Sequence, residues 1–135
     1  MKLDPQRTAR IYEKLLRVAP ELKKTREYAK SRVPGFMDLN LDVLEHSASY
    51  MRIALSHYWQ HPSGDLIADP DMEVAVFPDD RLAEALTYQD TFTYEVAYPD
   101  GETLPDLEVH ARLNEFLEQW LNNLLEQGHI LPKGR

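Results

Sequence analysis

Three carboxylates and one amide stand where a site could be assembled. Glu45 closes a run of alternating residues, Asp79 lies in a Pro-Asp-Asp turn, and Glu84 follows that turn. Asn114 sits beside Leu113 in a stretch with helical spacing, where asparagine is a mediocre residue. A buried amide must find hydrogen-bond partners, so Asn114 reads first as a tie between helix and sheet and second as a ligand contact. Tyr50 is one of several aromatic residues near the alternating runs, most of which should pack a sheet face while a few line a pocket. Lys23, Lys24 and Arg26 supply the cations that a phosphate would need. A groove between sheet and C-terminal helix that gathered Glu45, Asp79, Glu84 and Asn114 near those cations would take a nucleotide or another phosphate-bearing molecule. Convergence of Glu45, Glu84 and Asn114 favours ligand binding; their scattering favours a contact surface.

Other constellations fail on spacing. His57 and His61 are four apart, but a strand of that length spans about 13 Å, too far for one ion. His46, His110 and His129 have no partner at ligand spacing. Asp69-Pro70-Asp71-Met72-Glu73 opens like a calcium loop, yet Val74 and Asp80 occupy the places that need glycine and a bidentate glutamate. No nucleophile elbow, phosphate-loop lysine or Gly-rich dinucleotide fingerprint is present. With no cysteine, thiolate metal sites, disulfides and cysteine nucleophiles are excluded. These readings assign no catalytic residue, no metal and no cofactor, and lean away from an enzyme.

The elements that must position these residues belong to a chain of 135 residues, 43% apolar and 28% charged, the size and make-up of one ordinary domain. The net charge of −8 disfavours general nucleic-acid binding. It is unevenly laid out. Residues 1–36 carry ten Lys/Arg and four acids, a surplus of +6, whereas the remainder carries −14. A basic segment lying against an acidic body is the plain expectation; a surface for an acidic partner is the sharper one. Neither an apolar leader nor a membrane-spanning run is evident, so the expected compartment is the cytoplasm, with no membrane role.

Ile11, Tyr12, Leu15, Leu16 and Val18 recur at helical spacing after Asp4-Pro5, a capping acid followed by a first-turn proline. Pro20 interrupts, and residues 21–31 are expected to resume as a second helix with Leu22 and Tyr28 inward, closing a basic helical segment over 1–36. From residue 38 the period becomes two. Leu39-Leu41-Val43, Met51 to Trp59, Met72-Val74-Val76, Leu82 to Tyr88 and Phe92 to Tyr98 predict about five antiparallel strands over 38–98, joined as hairpins. Asp69-Pro70-Asp71 reads as loop. Leu113, Leu117, Trp120 and Leu124 then form one stripe of a helix over 105–127, ended by Gly128. The expected fold is a single α+β domain: an N-terminal helical segment, an antiparallel sheet, and a long amphipathic C-terminal helix on one sheet face.

Several of these segments carry a resemblance. Tyr12-Glu13-Lys14-Leu15-Leu16-Arg17-Val18-Ala19-Pro20, Leu41-Asp42-Val43-Leu44-Glu45 with Tyr50-Met51, Pro70-Asp71-Met72-Glu73-Val74-Ala75-Val76-Phe77-Pro78-Asp79, Tyr98-Pro99-Asp100 and Leu113-Asn114-Glu115-Phe116-Leu117-Glu118-Gln119-Trp120-Leu121 resemble the YqiB-like family of small proteobacterial proteins, a domain of unknown function. Arg112 stands where a glutamine is common in that family, and Glu108-Val109-His110 departs from its usual helix start. The resemblance implies no activity. The expectation is therefore an uncharacterised, non-enzymatic interaction or regulatory protein with a protein partner, a homodimer being one arrangement. The alternative is a small-ligand binder or enzyme of nucleotide metabolism.

Overall fold

The computed structural model describes residues 4–101 and 104–135; Lys2 of the basic segment lies outside them. Helix α1, Pro5–Val18, begins where the Asp4 side chain accepts the Arg7 N–H and Pro5 fills the first turn. It buries Ile11, Tyr12, Leu15 and Val18, the stripe expected from their spacing. The second helix predicted for 21–31 does not form. A single 3-10 turn, Leu22–Lys24, is followed by strand β1, Tyr28–Ser31. Tyr28 and Lys30 face one side and buried Ala29 and Ser31 the other, a period of two hidden among good helix formers.

Six more strands follow among the described residues: β2 Leu39–His46, β3 Met51–Gln60, β4 Leu66–Phe77, β5 Leu82–Ala85, β6 Thr87–Gln89 and β7 Tyr94–Val96. All described pairings are antiparallel, in the order β1-β2-β3-β4-β6-β7, with β5 also against β4. The expected count of five becomes seven for two reasons. β1 is added, and the predicted strand over 82–88 divides at Leu86 so that its halves pair with different stretches of β4. β4 also runs straight through Asp69-Pro70-Asp71, which the turn chemistry had marked as loop.

Helix α2, Leu107–Gln127, is capped by Asp106 and ends at Gly128, whose φ of 92° is the left-handed conformation that glycine adopts without strain. Its buried face is His110, Leu113, Asn114, Leu117, Trp120, Leu121 and Leu124. This face and that of α1 close one core with Leu41, Ile53, Leu55, Val74, Val76 and Ala83 from the sheet. Strand side chains alternate, so the residues between these, Arg52, Ala54, Ser56, Glu73, Ala75 and Glu84, occupy the opposite face; among the described residues no helix lies across it, though His110 of α2 reaches Glu84 at the β5 edge. The α+β architecture, with both helices on one side of an antiparallel sheet, leaves that second face open.

Candidate functional site

Cross-strand register builds the open face in rows. Glu45, Arg52, Ala75 and Glu84 lie side by side on β2, β3, β4 and β5. One step along, Asp42, Ala54 and Glu73 form the next row, and Asn40, Ser56, Asp71 and Gln89 the third. Glu45 reaches this face because the β2 register shifts between Val43 and Glu45, a one-residue slip that turns it away from the core side.

A groove of about 730 Å³ opens over the first two rows. Its floor includes Arg52, Glu73 and Ala75; its walls include Tyr50, Phe77, Leu86, Val96 and Tyr98, with Glu45 and Glu84 at its sides. Small Ala75 between long neighbours makes the hollow. Arg52 bridges Glu45 at 3.0 Å and Glu73 at 2.6 Å, so the guanidinium is already engaged by two carboxylates. Tyr50 and Phe77 pack with ring centroids 5.3 Å apart.

Glu84 is held from behind. Its carboxylate accepts from the Tyr98 hydroxyl at 2.9 Å and from His110 Nε2 at 2.8 Å. Since a carboxylate accepts, Nε2 of the buried His110 carries the hydrogen, and its Nδ1 faces the Asn114 amide nitrogen at 3.3 Å. Asn114 Nδ2 also donates to the His110 carbonyl, and its Oδ1 accepts the Ala85 N–H at 2.8 Å. Thus Asn114 joins α2 to the edge of β5 and braces the histidine that braces Glu84. Burial and the neighbouring Glu84 charge push the Tyr98 phenol well above its ordinary range, keeping it a donor at neutral pH.

The expected residues are therefore partly gathered. Glu45, Tyr50 and Glu84 line one groove. Asn114 supports it from within the helix layer without lining it. Asp79 is exposed in the turn after β4 and does not line it. The expected position between sheet and C-terminal helix is corrected: the groove opens on the sheet face opposite the helix-packed one, because alternation puts Glu73 and Glu84 opposite Val74 and Ala83, and α2 meets it only at the β5 edge, where His110 bonds Glu84. Lys23, Lys24 and Arg26 do not line it either. Lys24 pairs with Glu21 at 3.5 Å, and Arg26 meets the His46 ring, which also faces the Lys23 carbonyl.

Much of the remaining basic charge is spent within the fold. Arg7, Arg10 and Lys14 of α1 converge on Glu118 of α2 at 3.4, 2.8 and 2.7 Å. The hydrogen bond from Arg10, followed by that from Lys14, holds the Glu118 carboxyl at about 2, far below its ordinary value. Arg81 pairs with Glu13 on the same helix.

Sequence reading did not single out Arg52, Glu73, Phe77 or His110 as site residues. Their signal was present as the polar half of each alternation, which becomes a site only when register places neighbouring strands level with one another. His57 and His61 are apart in role: His57 is buried between the Asp38 carbonyl and the Trp120 indole N–H, and His61 bonds Ser63. Among the described residues no group of three or more His, Cys, Asp or Glu is placed to hold a metal ion, and no helix is long and apolar enough to cross a membrane.

No curated protein and no solved structure matches the chain. Nothing found ties it to the YqiB-like proteins it resembles; what stands is a domain of unknown function. A family model spans residues 10–130, from the middle of α1 to beyond the end of α2, and so takes in the second part of α1, all of α2 and every described strand. On that match the chain belongs to the DUF6908 family, a domain of unknown function.

Proposed function

We propose that the chain is a cytoplasmic binding protein that holds a small organic molecule in the groove of its open sheet face. One observation carries this reading: Glu84 is an anion fixed by two donors at the side of a groove with aromatic and aliphatic walls. A few convergent polar groups in an otherwise apolar concavity are the usual make-up of a ligand site. The ligand that fits has an apolar ring or chain and an N–H or O–H donor for Glu84. A phosphate fits poorly, since Arg52 is already shared by two carboxylates and the basic segment lies elsewhere. Because Tyr98 and His110 both donate to Glu84, the groove is organised for recognition, and we assign it holding rather than bond-breaking.

A protein-contact role, the first expectation from sequence, draws on a different feature. Phe92, at the tip of the β6–β7 hairpin, is 91% exposed, and Tyr94 beside it is 61% exposed. Apolar side chains presented this openly suit a protein partner. The two readings use different surfaces and separate cleanly.

Thermal unfolding with phenethylamine and with adenosine monophosphate tests the groove. A ligand of the native state raises the midpoint. The amine is expected to raise it, and Glu84→Gln to weaken the apparent affinity by about tenfold or more, while Phe92→Ser leaves it unchanged. A rise with the nucleotide alone, or an amine response indifferent to Glu84→Gln, contradicts the assignment.

A further inference from the structure

Beyond the groove, the second and third rows of the open face hold an arrangement that is electrostatically incomplete: Asp42 stands in the second row on β2, and Asp71 stands in the third row on β4, across β3 from it. Asp42 and Asp71 are both half-buried, and among the described residues neither side-chain carboxylate has a hydrogen bond or ion pair. They are near enough to repel each other, and Glu73 adds to the repulsion on Asp71. Burial, and for Asp71 these neighbouring charges, hold both carboxyls above their ordinary range. Charge taken from water without a partner is costly, and a fold tolerates it where a partner arrives from outside.

A second observation points to the same place. Ser56 is fully buried and its hydroxyl has no hydrogen-bond partner. Register sets it directly opposite Asp71 on β4 and Asn40 on β2, and alternation turns it to the open face. The Asn40 side chain bonds elsewhere, its Oδ1 accepting from the Tyr28 hydroxyl at 2.9 Å and its Nδ2 donating to the Ser56 carbonyl at 3.4 Å, and it makes no bond to the Ser56 hydroxyl. Lys30 on β1 stands in the third row opposite Asn40 and pairs with neither acid. Arg52 is committed to Glu45 and Glu73.

We propose that Asp42, Asp71 and the Ser56 hydroxyl form a receptor for a protonated primary amine, separate from the groove beside it. A primary ammonium group has three N–H donors and no acceptor. The two carboxylates and the hydroxyl oxygen offer three acceptors. The amine neutralises one carboxylate charge, relieves the repulsion between the pair, and satisfies the orphan oxygen below them. The amine belongs either to a small molecule or to a lysine side chain of another protein; the chemistry is the same. The assignment does not depend on the groove having a ligand, because none of its three residues lines the groove.

The test is an NMR titration that follows the side-chain carboxyl carbons of Asp42 and Asp71. The probes are n-butylammonium, an N-acetyl-lysine methylamide, tetramethylammonium and Ca²⁺, each at the same ionic strength. Butylammonium or the lysine derivative is expected to shift both carbons saturably, the better of the two naming the source of the amine. Tetramethylammonium, with no donor, should bind at least about tenfold more weakly. Asp71→Asn and Ser56→Ala should each weaken the amine by about tenfold, whereas Glu84→Gln should not. Asp42→Asn repeats the test should Asp71→Asn fail to fold. Absence of a saturable shift, an equal response to tetramethylammonium, preference for Ca²⁺, or indifference to these substitutions overturns the proposal.

Discussion

Glu118 and the Asp42–Asp71 pair are carboxylates at the two faces of one sheet domain, and their surroundings are opposite. On the helix side, three cations from α1 close on Glu118, which is 14% exposed, and its carboxyl drops to about 2. On the open side, two half-buried acids in neighbouring rows have no cation paired with them among the described residues, and both carboxyls rise. The first arrangement clamps the two helices together, with three cations sharing one carboxylate. The second awaits something. The contrast also explains the fate of the basic N-terminal segment. From sequence its plain expectation is to lie against an acidic body and its sharper one to meet an acidic partner; in the fold, Arg7, Arg10 and Lys14 are engaged by Glu118 of this chain. The face that remains unbalanced is acidic.

The sharpest way to break this comparison is to remove the clamp. Glu118→Gln leaves Arg7, Arg10 and Lys14 facing one another without their counter-ion. We expect a loss of about 2–3 kcal/mol at neutral pH, the upper part of the range for a partly shielded pair after allowance for water. The sign with pH follows from the depressed carboxyl. Its folded value, about 2, lies below the ordinary 4.5, so its stabilisation is present above the ordinary value and is lost as pH falls through that interval. Urea unfolding of the two proteins should accordingly converge in acid. A difference that persists there, or none at neutral pH, would show that the three cations do not act through this carboxylate.

A smaller and opposite effect is expected on the open face. A raised folded-state value means that protonation favours the fold: the contribution of Asp42 and Asp71 is most favourable in acid and declines as pH rises through their raised values. Asp71→Asn removes the repulsion and should raise stability at neutral pH by up to about 1 kcal/mol, the scale of a half-exposed charge interaction. The gain should vanish in acid. Destabilisation at neutral pH would mean that Asp71 already has a partner within the chain.

Sequence periodicity reached the two long helical stripes and the alternating strands, because each buries one face and the burial writes itself into residue spacing. It did not reach β1, where Tyr28, Lys30 and their neighbours are four residues among strong helix formers, and where pairing with β2 overrides local preference. Nor did it carry β4 through Asp69-Pro70-Asp71, since proline and aspartate favour turns unless the neighbouring strand continues. That second miss hid the most informative residue of the open face: as loop, Asp71 is a solvated acid, and as strand it stands beside Ser56. Glu45 and Glu84 were legible as acids at strand positions, and Asn114 as a polar residue in an apolar stripe. That Glu45 and Glu84 flank one groove depended on register and on a one-residue slip, neither of which is written in any single segment. Ser56 had no signal at all, because an unsatisfied hydroxyl is a property of its surroundings.

The account stands or falls on the claim that one face of the sheet has its charge settled and the other does not. Carboxyl-carbon NMR over an acid titration of the unliganded protein measures this directly, following Glu118, Asp42 and Asp71 in one sample. Glu118 should titrate near 2, and Asp42 and Asp71 above the ordinary 3.8 of an aspartate. Three midpoints grouped at ordinary carboxylate values, or aspartates titrating below theirs, would contradict it.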